Sequence, residues 1–150
     1  MREHMGLYRG KREDNGEWVE GSLYEEKEMH ESCFFIVRTV VGWNKEKYDH
    51  DPVAFFLVDP ETVGECTGLK ASGKLIFEGD ICDHHVQGDI LVNRGVVNWD
   101  TKHGRWAFKL NTMSPDFYMH NPAAWEIIGN IHDNPELLKG AGENETRKSY

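Results

Sequence analysis

The chain has 150 residues, 39% of them hydrophobic, and sets 17 basic against 26 acidic side chains for a formal charge of −9. That length fits one domain, or two small lobes sharing a core, and suffices to bury a stable interior. The acidic balance argues against a grip on nucleic-acid phosphates, which needs a basic stripe, and the one short basic cluster is Arg9, Lys11 and Arg12.

In chain order, Leu7–Arg12 and Glu17–Tyr24 flank Asp14-Asn15-Gly16, a strong turn signal, and read as a β-hairpin. In the second arm Trp18 and Tyr24 share one face while Val19, Gly21 and Leu23 share the other, so both faces have something to bury. Glu25–Glu31 is acidic and reads as a solvated loop or bulge. Cys33–Val41 is apolar except for Arg38 and Thr39 and rich in β-branched and aromatic residues, which predicts a strand covered on both faces. Residues 42–51 are polar, carry Trp43 and Tyr48, and read as a long loop; Val53–Val58 is the next strand.

Asp59-Pro60-Glu61 combines an N-cap, a proline at the first helical position and an acid in the first turn. Gly64 and Gly68 limit it to a single turn. Leu75–Phe77 and Asp80–His84 read as short strands, and His85–Arg94 as a loop. Gly95–Trp99 and Arg105–Leu110 form the clearest hairpin: Trp106, Phe108 and Leu110 alternate with Arg105, Ala107 and Lys109, one face in and one out. This predicts burial of Trp99, Trp106 and Phe108. Asn111–Ala123 is a further loop, Glu126–Ile131 a final strand, and Asn134-Pro135-Glu136 repeats the capping grammar to predict a short C-terminal helix. Gly140–Tyr150 has almost no apolar content and is expected to be a disordered tail. No stretch supports a long amphipathic helix, and the fold class is mostly β.

Cys33, Cys66 and Cys82 are odd in number and dispersed, unlike a disulfide framework or a Cys-x-x-Cys metal site, and read as buried free thiols. The charged start Met1-Arg2-Glu3-His4-Met5 is no signal-peptide core, and no apolar run approaches the roughly 20 residues that span a bilayer. The expectation is a soluble, reduced, cytoplasmic protein with no membrane contact.

The stretch Val63–Lys70, continuing through Gly73–Ile81, is dense in glycine and charge and matches no nucleotide, metal or nucleophile motif. It reads as a fold signature. With Arg9-Gly10-Lys11-Arg12, Asn15–Gly21, the block opening at Asp59-Pro60-Glu61, and Glu126–Ile131 followed by Asn134–Leu138, it resembles the YopX family, small proteins encoded mainly by phages and prophages. The resemblance implies a single β domain over residues 1–139, with an N-terminal lobe over about 1–70 and a C-terminal lobe over about 71–139, the latter in part barrel-like (SH3-like). It carries no established catalytic residues, so none are transferred. Cys66 stands where a larger apolar side chain is expected.

Asp80, Cys82, Asp83, His84 and His85 form the one cluster of metal-ligand types, and Asp80, Cys82 and His84 would share a strand face. They lie in one row with no zinc-like spacing, so a strand leading into a polar loop is the better account, and no metal or cofactor is expected. His4, His30, His50, His103, His120 and His132 fall in expected loops or edges and read as solvated. Glu61, Glu78 and Asp80 could pair for acid–base work, but the helix-turn start and the polar turn at Glu78-Gly79-Asp80 explain them locally.

Trp43, Tyr48, Phe117, Tyr118 and Trp125 lie in or beside loops, where a large ring needs a pocket or a partner. Burial within the same subunit is the ordinary account. An interaction surface, where one exists, is expected at Trp43, Tyr48, Phe117 and Tyr118, in the simplest case as a homo-oligomer contact. The sequence reading is a phage or prophage accessory protein that is not an enzyme and acts through phage or host protein partners. A small-ligand or nucleic-acid binding β-barrel module is the second reading, and an unrecognised hydrolase the third.

Overall fold

β-branched and aromatic runs, punctuated by glycine, asparagine and aspartate, build antiparallel strands throughout this computed structural model. Described are residues 6–28, 31–40, 52–85, 92–110, 117–118 and 124–139, with only the backbone of Glu28, Val92, Leu110, Phe117 and Tyr118. The chain divides into two compact units, Met1–Cys66 and Thr67–Tyr150.

The first unit holds β1 (Tyr8–Lys11), β2 (Trp18–Glu28), β3 (Glu31–Thr39), β4 (Val53–Val58) and the start of β5 (Gly64–Ala71). The order is β4-β3-β2-β1, and β1 also pairs with Gly64 and Glu65. The expected first hairpin forms, with Lys11 opposite Trp18 and Gly16 at φ 72° in its turn, a conformation glycine adopts without steric cost. The end of β1 also meets the end of β4: Asp59 N–H donates to Lys11 O at 2.9 Å and Glu13 N–H to Leu57 O at 3.1 Å. A 3₁₀ turn at Pro60–Thr62 locks this junction. Asp59 caps it by accepting from Glu61 N–H at 3.0 Å, and the Thr62 hydroxyl accepts from Lys11 N–H at 2.8 Å while donating to Asp59 O at 2.7 Å. Val19, Ile36 and Val58 are the buried core here, flanked by Tyr8, Leu23, Phe34, Phe56 and Val63.

The second unit begins with the rest of β5, followed by β6 (Lys74–Phe77), β7 (Asp80–His85), β8 (Val92–Asp100), β9 (Arg105–Leu110), β10 (Phe117–Tyr118) and β11 (Trp125–Asn130). Its five-stranded sheet runs β10-β9-β8-β7-β11. Gly79, at φ 85°, makes the turn between β6 and β7; its N–H reaches Val97 O and its carbonyl receives Ile131 N–H, both at 2.9 Å. Ala71, Ile76, Cys82, Val97, Phe108 and Trp125 form the core, with the Phe108 and Trp125 rings edge to face at 4.2 Å.

Several sequence expectations need correction. Among the described residues the second unit is an open sheet and no barrel closes, since closure needs the two edge strands to pair along their length and β10 contributes only Phe117 and Tyr118. The C-terminal helix is only a 3₁₀ turn at Pro135–Leu138. Asn134 does not cap it; its side chain accepts from Asn130 N–H at 3.3 Å instead. Glu25–Glu28 is not a loop but the continuation of β2, because pairing with Glu31–Phe34 satisfies its backbone whatever its charge. Among the described residues no second layer covers the outer face of β3. Of the three rings expected to be buried only Phe108 is fully so: Trp99 is 43% exposed and Trp106, opposite it across the hairpin, is half-buried. Ala107 is as fully buried as Phe108, so simple alternation misjudges that position, although Lys109 on the same face is exposed. The 111–123 loop contains β10. The expected tail, 140–150, lies outside the described residues. Among those described, no helix is long and apolar enough to cross a membrane.

Candidate functional site

In an antiparallel sheet, residues directly opposite share a face. The registers Tyr24↔Phe35, Ser22↔Val37, Phe35↔Leu57 and Val37↔Phe55 therefore collect Ser22, Tyr24, Phe35, Val37, Phe55 and Leu57 on one side of β2, β3 and β4. Leu23, Phe34, Ile36, Phe56 and Val58 point the other way, into the core. Because Cys33–Val37 of β3 and all of β4 are apolar, filling the core face still leaves an apolar outer face.

Among the described residues nothing packs over that outer face. Tyr24 is 46%, Val53 53%, Phe55 56% and Leu57 39% exposed. Isolated exposed apolar residues are ordinary, whereas a contiguous group is the usual mark of a binding surface. Here the Tyr24, Phe35 and Phe55 rings form a triangle with centroids 6.0–6.4 Å apart, two of the three pairs edge to face. They line a shallow concavity of about 680 Å³ with Ser22, Leu23, Glu26 and Val37.

The basic cluster of the first hairpin is engaged locally. Arg9 stacks over Trp18 at 4.8 Å with Lys11 at 5.8 Å, while Arg12 and Arg38 approach Phe56 at 4.8 and 5.2 Å. Arg12 also forms a two-point pair with Asp14, at 2.9 and 2.5 Å. Their hydrogen bond raises the Arg12 pKa and lowers that of Asp14.

The metal-ligand types of β7 are each occupied in different ways. Asp80, 2% exposed, accepts from Phe77 N–H at 2.8 Å and so closes the β6–β7 turn. Cys82 sits in the core, and His84 stacks on Trp125 at 4.4 Å. Asp83 takes two hydrogen bonds from Arg94, at 2.7 and 2.9 Å, and Arg94 continues to Leu137 O at 3.3 Å. The hydrogen bond to Asp83 raises the Arg94 pKa. His85 meets Glu126 at 3.3 Å on the surface. Among the described residues no three His, Cys, Asp or Glu side chains converge as a metal site would require. Cys33, Cys66 and Cys82 are free thiols; Cys66 and Cys82 are buried and Cys33 is half-buried.

Of the aromatic residues expected to form a surface, Trp43 and Tyr48 lie outside the described residues. Phe117 and Tyr118 form β10, opposite Phe108 and Ala107 of β9. Sequence reasoning missed the Tyr24–Phe35–Phe55 face because a continuously apolar strand reads as covered on both sides. It also placed Arg94 in a loop and so missed the clamp to Asp83.

The model of the YopX protein family matches residues 7–139. The chain belongs to that family. No match is found among curated proteins. Among solved structures, this YopX family member is similar to protein EF1440 from Enterococcus faecalis, at 21% identity over 87% of this chain and 96% of that one, with a TM-score of 0.48.

Proposed function

We propose that this YopX family member is a non-catalytic interaction module, a phage or prophage accessory protein acting in the host cytoplasm through a protein partner. The observation that carries the reading is the open aromatic face of β2–β4, centred on Tyr24, Phe35 and Phe55. Aromatic rings supply large contact area at low entropy cost and are enriched in interface cores. The carboxylates and histidines that could have served chemistry support the same reading, since Asp80, Asp83 and His84 make turn, ion-pair and stacking contacts within the fold.

The test is affinity capture from the host with the parent chain and with Tyr24→Lys, a position 46% exposed where lysine leaves the core untouched. A protein that co-elutes stoichiometrically with the parent and is lost with the variant, at unchanged melting temperature, supports the face as the contact. The same partner retained by both rejects it. A second reading, an apolar small ligand in the shallow concavity, draws on the same rings. Ligand-detected binding that survives removal of all protein partners would favour it.

A further inference from the structure

The charges of β2–β4 sort by face. Alternation along β2 and β3, in the registers that place Tyr24, Phe35 and Phe55 together, sets Glu20, Glu26 and Glu31 on the same outer face. Lys27 and Arg38, the two bases of these strands, fall on the opposite face, where Arg38 stacks on Phe56 at 5.2 Å. Arg9 and Lys11 of β1 lie over Trp18. Trp18 is at the far end of β2 from Tyr24, about 20 Å along the strand. Around the aromatic concavity the described strands therefore offer carboxylate and no cation.

Aromatic rings beside a carboxylate suit a cation. Glu26 lines the concavity with Tyr24, Phe35 and Phe55, and among the described residues no ion pair neutralises it. The ring centroids form a triangle with sides of 6.0, 6.3 and 6.4 Å. Its centre lies about 3.6 Å from each centroid, so a cation seated about 4 Å above it stays within the roughly 6 Å over which a ring face attracts positive charge. Phe55 stands at 84° to Tyr24 and 78° to Phe35. Each such edge-to-face pair uses at most one face of one ring, and the other faces remain for a further contact. The formal charge of −9 draws cations toward the chain at long range. A phosphate or an anionic lipid surface would meet carboxylates here, and a second copy would bring the same carboxylates and no base.

We propose that the partner engages this face through a cationic side chain, an arginine or lysine of an exposed segment, seated over Tyr24, Phe35 and Phe55 with Glu26 as its counter-charge; this rests on the reading of the outer face as a contact surface. A guanidinium suits the site well, since it stacks on a ring while donating to a carboxylate and is weakly hydrated. The alkyl stem of either side chain adds apolar contact with the rest of the concavity.

NMR titration of the full chain with the blocked tripeptide Ala-Arg-Ala, its lysine counterpart and the uncharged citrulline and norleucine counterparts tests the proposal. The expected result is a saturable shift of the Tyr24, Phe35 and Phe55 ring signals with the two cationic peptides. Binding of the uncharged peptides should be about two- to fivefold weaker, the size of an exposed cation–π contact. Tyr24→Leu, which keeps an apolar side chain but removes the ring, and Glu26→Gln should each weaken the cationic peptides by a similar factor at unchanged melting temperature. Phe55→Leu, at a position 56% exposed, supplies a second ring variant if Tyr24→Leu alters the fold. Equal binding of the arginine and citrulline peptides overturns the proposal. So do shifts spread over carboxylates elsewhere with the ring signals unmoved, or arginine binding that ignores both ring variants. The two readings fail separately. If Tyr24→Lys releases a captured partner while arginine binds no better than citrulline, only the cationic contact is lost. If the arginine peptide binds the rings while Tyr24→Lys leaves capture unchanged, the contact-surface reading fails instead.

Discussion

Replacing Phe108 with alanine removes the central piece of the second unit. The ring is fully buried, meets Trp125 edge to face at 4.2 Å, and belongs to the cluster of Ala71, Ile76, Cys82 and Val97. Burying a phenylalanine side chain is worth about 1.5–3 kcal/mol in transfer alone. The lost aromatic pair adds about 0.5–1.5 kcal/mol. β9, which carries Phe108, is held on both sides by backbone ladders to β8 and β10, so the site collapses poorly and a cavity cost is added. The sum falls in the range of about 3–5 kcal/mol found for phenylalanine-to-alanine changes in cores. For a unit of this size each kcal/mol lowers the melting temperature by about 4–8 °C, so a fall of more than about 12 °C is expected. Circular dichroism melts and urea titrations read it, with Trp99→Ala as control on the same hairpin. Trp99 is 43% exposed, and its loss should cost less than half as much. A Phe108→Ala melt within a few degrees of the parent, or a Trp99→Ala loss as large, would refute the assignment of the core.

Asp83→Ala should destabilise the second unit by about 1–3 kcal/mol, because Arg94 loses a charge-assisted two-point partner and its bond to Leu137 O is no longer oriented. Urea midpoints measure this, and an unchanged midpoint would show that the clamp contributes nothing. The Asp100 turn should respond to acid. The hydrogen bond from His103, at 2.6 Å, holds the Asp100 carboxyl below its usual pKa of 3.8, against the opposing effect of desolvation. A depressed folded-state pKa means that this contribution is fully present above the unfolded pKa and is lost as pH falls below it through the folded value. The Asp100 side-chain carboxyl carbon signal should hold position down to about pH 4 and shift below it; a midpoint above the usual carboxylate value would contradict this.

Much of the architecture is local, and local features can be read from sequence. Asp14-Asn15-Gly16 specifies its turn because glycine reaches φ 72° there without strain. Asp59-Pro60-Glu61 specifies its single turn because cap, ring and acid act within three residues. The register of the 95–110 hairpin follows from its short turn, which sets Trp99 opposite Trp106. What surrounds a strand is a different matter. Cys33–Val41 and Val53–Val58 look the same whether a second layer covers their outer face or not, since hydrophobicity reports a tendency to be buried and not the arrival of a neighbour. Ala107, fully buried, and Trp99, half in solvent, reverse the expectation from alternation for the same reason. The contact between Asp83 and Arg94 joins residues 11 apart through strand register, and that from Arg94 to Leu137 spans 43. No spacing rule in the sequence contains such distances. The sequence by itself determined most of the strands, the tight turns and the family. Only the tertiary structure decided which apolar face remained open, because that depends on which strands the sheets leave without a neighbour.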